Sequence, residues 1–374
     1  MSVAPAIPAN GSLEERARRA LDQKTKPPGS LGVLEEVAVR LAGIQQTLAP
    51  VLSVKRLCVF AGSHGITAEG VSAYPSSVTA QMVLNFLAGG AAINVLARHG
   101  NIGVHVIDVG VDGEWPAVLE NTPHFFIRKV RAGTRNALRE PAMTSAECDQ
   151  ALEAGREQVR QAVADGVQVL GLGEMGIGNT TAAAALYCGL LGFDPGAAVG
   201  RGTGVTEAGL RRKVEVVEGI LRRHAPGDAL GDALGDALGE GAGRYWLESV
   251  GGYEMAAMTG CILEARALRL PVVVDGFIST AAAAAAFDLD PASREVCFFS
   301  HRSEEAAHGA ALKALRVEPL LDLKMRLGEG TGAALAMHVL EAAAKILCEM
   351  ATFESAGVSD AAEAAGASSP AACL

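Results

Sequence analysis

The chain has 374 residues, with 32 Lys+Arg against 42 Asp+Glu for a formal charge of −10, and 49% of it is apolar. That length suggests about two domains with a sizeable core; with aromatics at 4% and 44 glycines, the core is expected to be helices and sheet packed through small side chains. The composition excludes a disordered chain, a disulfide scaffold and a collagen-like repeat, and the acidic balance argues against a nucleic-acid surface, which needs clustered Lys and Arg.

The N-terminal stretch lacks the basic start and apolar core of a signal peptide. Residues 12–47 carry two helical patterns around the turn KPPGSLG at 26–32. Apolar runs suited to strands follow at 56–61, 103–109, 167–171, 271–275 and 296–300. Helical patterns lie near 76–99, 144–165, 180–191, 207–223, 252–268, 278–287 and 303–316, and a long alanine-rich one covers 329–353. Continuous apolar strands alternating with helices predict an α/β fold with a parallel sheet covered on both faces. The expected division is a large nucleotide-binding domain over 51–328 and a smaller helical domain built from both chain ends, 1–50 and 329–355. The run GDALGDALGDAL at 227–238 reads as a tolerated surface insertion, and the small, polar tail at 356–374 as disordered. The longest apolar stretch, near 271–287, is broken by Asp275 and is too short to span a membrane.

The seven cysteines, from Cys58 to Cys373, form no C-x-x-C pair, and the eight histidines form no H-E-x-x-H. Reduced thiols in a cytoplasmic protein are expected, with no metal site. The basic run Arg128, Lys129 and Arg131 reads as a solvated edge.

Each apolar run ends in a polar or glycine turn: GSHG, GVDG, GEMGIGNTT, DGFIST and SHRSEE. In a parallel sheet such turns gather at one edge, where ligands bind. GLGEMG at 171–176 matches the dinucleotide pattern G-x-G-x-x-G, but no second strand ends in an acid about 20 residues on. The following Gly176, Ile177, Gly178, Asn179 and Thr180 open an alanine helix. Glycines admit an anion close to the backbone, and a helix start offers free N–H groups, so a phosphate cradle is expected here. Gly202, in a second glycine turn, and Lys213, on the helix after it, are further candidates for that phosphate.

Two carboxylates occupy unusual places. Glu174 sits between glycines immediately after a strand, and Glu329 between Gly328 and Gly330 at the start of the last helix. Apolar neighbours such as Met175 and Leu327 would desolvate them and raise their pKa values, which suits a general base near neutral pH. Each is a candidate base, or a negative charge beside a cationic transition state. His64 and His301 follow strands and are candidates for the same site, while Asp275 suits either a sugar hydroxyl or the cap of the next helix.

Together these turns resemble one family. KPPGSLG at 26–32, GEMGIGNTT at 173–181, GGYE at 251–254, VDGF at 274–277, Ser300-His301 and RLGEG at 326–330 are similar to the nicotinate-nucleotide:dimethylbenzimidazole phosphoribosyltransferases. The likeness runs in order from about residue 12 to 353. It implies a Rossmann-like large domain, a homodimer without metal or cofactor, and transfer of phosphoribose from nicotinate mononucleotide to 5,6-dimethylbenzimidazole. The products would be α-ribazole 5′-phosphate, part of the cobalamin lower ligand, and nicotinate. It further implies Glu329 as general base, the 174–180 loop on the phosphate, and Tyr74, Met82, Met175 and Leu327 around the base, with Ser300 nearby. The first loop departs from the family pattern, which commonly has Asp where this chain has Ser63. Two other readings compete: a nicotinamide-dependent dehydrogenase, and a nucleotide sensor that has lost the chemistry.

Overall fold

The computed structural model describes residues 10–119, 121–225 and 241–359. The GDAL run at 227–238 and all of the tail from 360 onward lie outside the described residues.

Seven parallel strands form one sheet: β1 Lys55–Gly62, β2 Ile102–Gly110, β3 Phe125–Ile127, β4 Val169–Met175, β5 Val272–Val274, β6 Cys297–His301 and β7 Pro319–Leu321. Their order is β3-β2-β1-β4-β5-β6-β7. The chain therefore moves outward from β1, returns, and continues on the other side, with the reversal between β1 and β4. The carboxyl ends of strands at such a reversal leave a crevice suited to a ligand. Every residue of β1 is buried, as expected of a strand covered on both faces. The five expected strands are all present. The two that the sequence does not announce, β3 and β7, are three-residue edges, too short to carry a hydrophobic period.

Small side chains do make the close packing. Gly155 of helix Ser145–Ala164 lies on the carbonyl of Ala257, and Gly260 of helix Tyr253–Leu268 lies on that of Leu152, so a Cβ at either would overlap the opposite backbone. Helix Phe277–Leu289 is buried through Phe287, as its apolar character on every side requires. Helix Ser145–Ala164 starts with a capping box made by Thr144 and Glu147.

Two helical expectations change, and one helix is new. The pattern at 76–99 is two helices, Val78–Leu87 and Ala92–Gly100, because the chain turns at Gly89 with φ +76°. The pattern at 303–316 shortens to His308–Ala314, since the Ser303 amide donates to His308 Nδ1 (2.8 Å) in a preceding turn. Helix Ala242–Val250 has no counterpart among the expected elements; it packs Trp246 against Gly189.

By length and composition, 78–100 and Thr331–Glu349 are apolar enough to cross a membrane, although the first is divided at Gly89. The described cysteines are free, and burial pushes Cys58, Cys148 and Cys188 up to about 12, so these thiols are unreactive.

The chain divides into a compact unit over Val54–His338 and a second drawn from the flanks, up to Ser53 and from Val339. In the flanking unit Lys24 pairs with Thr352 and its Nζ donates to the Met350 carbonyl (2.6 Å), while Lys26 and Glu35 form a buried ion pair at 2.8 Å.

Candidate active site

The carboxyl edges of β4, β5 and β6 deliver Glu174, Asp275 and His301 to one cavity of about 490 Å³, closed by the turn that carries Leu327 and Glu329. Tyr74, Met82, Met175, Gly176, Ile177, Asn179, Thr180 and Gly202 also line it. Most residues singled out from the sequence therefore meet. Tyr74 and Leu327 are 53% and 56% exposed; with Met82 and Met175 they make an apolar side suited to a flat ring.

Glu329 owes its place to backbone geometry. Gly328, Glu329 and Gly330 all have positive φ, at +83°, +61° and +84°. A non-glycine there costs on the order of 1 kcal/mol, so the turn needs anchors. Asp275 supplies them: Oδ2 accepts the Gly330 amide (3.1 Å) and Oδ1 the Ala333 amide (2.9 Å). Of its two readings, Asp275 takes the capping one, but for the helix Thr331–Glu349, 55 residues away in sequence, rather than the next helix. Burial pushes its carboxyl up to about 7, and the amides of Ala333, Gly330 and Gly332 oppose the rise. Burial also raises the Glu329 carboxyl, against an amide hydrogen bond from Ile93 at the start of helix Ala92–Gly100. Glu329 Oε2 is buried with no hydrogen-bond partner among the described residues.

Glu174 lies inside β4, not in the turn after it. Gly171 and Gly173 are strand residues too, with Gly171 packed under Met337 and Gly173 under the Glu329 backbone. They do not form a dinucleotide loop, and the dehydrogenase reading loses its motif. The Asn179 side-chain amide donates to Glu174 Oε2 and so orients this carboxylate from the cavity wall. Burial first, then the charges of Glu254, Asp275 and Glu329, hold the Glu174 carboxyl well above the ordinary range.

At the expected phosphate cradle, the Ile177 amide is already given to Thr79 Oγ1 (3.1 Å), which removes it as a phosphate donor. Gly178, with φ +95°, caps helix Asn179–Leu191 and is not on the cavity wall. Lys213 is only 1% exposed and lies behind the wall; its Nζ donates to Thr180 Oγ1 (3.0 Å) and the Gly200 carbonyl (2.9 Å). Burial lowers its pKa to about 8. Gly202 must be small, because a Cβ would come within 2.8 Å of Thr180 Oγ1 and 3.2 Å of Lys213 Nζ. Thr180, Gly202 and Lys213 thus converge on one corner. Arg326, whose Nη1 donates to the Gly202 carbonyl (3.0 Å), brings a cation to the same corner.

His64 and Ser300 do not line the cavity. His64 Nε2 pairs with Glu254 Oε1 at 2.8 Å, and Ser300 Oγ donates to the Asp275 carbonyl at 2.6 Å, supporting the strand end. Ser63 Oγ accepts the Asp112 amide (3.0 Å) and ties two loops together. Sequence reasoning missed Glu305 and Arg326 as cavity residues; their place in turns already recognised, SHRSEE and RLGEG, was the available signal.

The phosphoribosyltransferase family model matches residues 7–358. The chain is 51% identical over 344 residues to the nicotinate-nucleotide–dimethylbenzimidazole phosphoribosyltransferase of Thermus thermophilus, across 92% of this chain and 97% of that one. It is 48% identical to the protein of the same name from Geobacter sp. strain M21, across 94% and 96% of the two chains. The crystal structure of CobT from Thermus thermophilus superposes with a TM-score of 0.85 at 50% identity, across 93% of this chain and 99% of that one.

Proposed function

This chain belongs to the family of nicotinate-nucleotide–dimethylbenzimidazole phosphoribosyltransferases, and on that premise we propose how its residues carry the reaction. It transfers phosphoribose from nicotinate mononucleotide to 5,6-dimethylbenzimidazole, releasing nicotinate and α-ribazole 5′-phosphate for cobalamin. The observation that supports the residue assignment best is the convergence on one cavity of Glu329, with an unpartnered carboxylate oxygen, and the corner formed by Thr180, Gly202 and Arg326 with Lys213 behind it.

The 5′-phosphate is assigned to that corner. The dimethylbenzimidazole lies between Met82, Met175, Tyr74 and Leu327, within reach of Glu329. The pyridinium nitrogen of the donor is a good leaving group, because its departure turns a cationic ring neutral, and little acid help is needed. A benzimidazole nitrogen attacks the anomeric carbon from the opposite face and inverts β to α. The ring then carries a positive charge until Glu329 accepts its remaining N–H proton. The sugar passes through an oxocarbenium-like state. Glu174 holds its proton tightly among neighbouring carboxylates; a cation beside it favours the ionised form, so its negative charge matches the charge developing on the sugar.

Incubation with both substrates, followed by chromatography and mass measurement, is expected to give α-ribazole 5′-phosphate and nicotinate in equal amounts. Folded protein that yields neither would refute the reading.

Two limbs are expected in the pH profile. Glu329 must be ionised to accept a proton and its pKa is raised, so kcat falls with pH through a value above that of an ordinary glutamate. Lys213 helps only when charged and its pKa is about 8, so kcat/KM for the mononucleotide falls as pH rises past that value. A bound phosphate keeps Lys213 protonated, so kcat lacks this alkaline limb. Lys213→Met should remove it from kcat/KM; an unchanged alkaline limb would assign it to another group.

The acidic charge and the free thiols support a cytoplasmic enzyme without nucleic-acid or membrane partners. Exposed Leu84 and Val95 offer apolar surface for a second copy, in keeping with a homodimer.

A further inference from the structure

We propose that His64 and Glu254 form a positioning pair for this reaction, buried behind the cavity, which fixes the 176–178 turn from beneath and so sets Glu174, at the end of β4, against the sugar. The proposal rests on the transferase reading above.

The pair is enclosed. His64 is 2% exposed and Glu254 0%, and their Nε2 and Oε1 are 2.8 Å apart. The backbone of the nucleotide turn rests directly on the imidazole: a Cβ at Gly176 would come within 3.2 Å of His64 Nε2 and Cδ2, and one at Gly178 within 3.4 Å of His64 Cβ. On the other side Gly62 and Gly252 close on the carboxylate, a Cβ at Gly62 coming within 2.9 Å of Glu254 Oε2 and one at Gly252 overlapping both oxygens. Four glycines thus hold two side chains with no room to turn.

Glu254 is an expensive way to fill that space. Its Oε2 has no hydrogen-bond partner among the described residues, and burying a carboxylate that is only half satisfied costs free energy that a hydrocarbon would not. A purely structural role does not explain such a group. Its position does, because it anchors the ring on which Gly176 rests, two residues after Glu174, and its charge helps to keep the proton on that carboxyl. The chain reaches this site through three elements: the loop after β1 brings His64, the start of helix Tyr253–Leu268 brings Glu254, and β4 brings Glu174. Displacement of the pair would move the turn at Gly176 and the charge facing the sugar together.

The test is a double-mutant cycle. Glu254→Ala withdraws the acceptor that holds His64 Nε2 beneath the turn, with folding checked by thermal unfolding. It is expected to lower kcat on the order of tenfold and leave KM for dimethylbenzimidazole unchanged. In a Glu174→Gln background the same change should cost less than about twofold, because its effect runs through Glu174. An equal loss in both backgrounds, or no loss in either, overturns the proposal. His64→Gln supplies a second arm: it keeps a donor for Glu254 but removes the ring beneath Gly176. Calorimetric titration with nicotinate mononucleotide, which needs no turnover, should show affinity weakened about tenfold; unchanged affinity counts against the pair. A wild-type protein that makes no α-ribazole 5′-phosphate refutes the transferase reading instead, a result distinct from either arm.

Discussion

Glu329→Gln is expected to fold like the parent protein and to lose about 10²–10⁴-fold in kcat, the usual worth of a general base. The carboxamide has the same shape and still offers one oxygen to the Ile93 amide, so the turn through Gly328 and Gly330 keeps its anchors at Asp275. Only the capacity to accept the benzimidazole proton is lost. Stability should hold or rise, because the change removes a buried carboxylate whose Oε2 has no partner among the described residues. Steady-state kinetics with both substrates, alongside thermal unfolding, separates these effects. The loss should fall in kcat with KM for the mononucleotide nearly constant, since Glu329 acts on the acceptor. It should also shrink with an acceptor acidic enough to attack as an anion, which has no proton to give. Near-normal turnover in a folded variant would reject Glu329 as the base.

The sequence carries this site unevenly, for physical reasons. Strands β1, β2, β4, β5 and β6 are legible because a strand covered on both faces must be apolar throughout, and each ends in a polar turn. Glu329 stands out because only glycines tolerate the left-handed turn around it cheaply. What stays hidden depends on partners distant along the chain. The Ile177 amide looks free for phosphate until Thr79, 98 residues earlier, takes it. Asp275 caps a helix 55 residues away and His64 pairs across 190, and no local pattern records either contact. A histidine after a strand fits a site wall or its support equally well, and only the close approach of Gly176 decides.

Gly173→Ala is the second large effect, and its contrast with Gly171→Ala tests the placement of the base without touching its chemistry. Both glycines lie on β4 two residues apart, so their Cβ atoms would project from the same face of the sheet. At Gly171 the added carbon would meet the Met337 methyl at 2.7 Å, the free end of a flexible side chain that can move aside. At Gly173 it would meet backbone: the Glu329 carbonyl oxygen at 2.6 Å, its carbon at 2.7 Å and the Gly330 nitrogen at 2.8 Å. That turn cannot retreat without giving up its bonds to Asp275. Overpacking of this kind costs about 1–3 kcal/mol in stability, and a shift of about 1 Å at a reacting group can cost about 10²-fold in rate. Gly173→Ala is therefore expected to lose on the order of 10²-fold in kcat, while Gly171→Ala stays within about threefold of the parent enzyme. Steady-state kinetics at matched folded fractions decides between them. Equal activity in the two variants would mean that the turn carrying Glu329 can shift without penalty, and that its strained geometry does not set the rate.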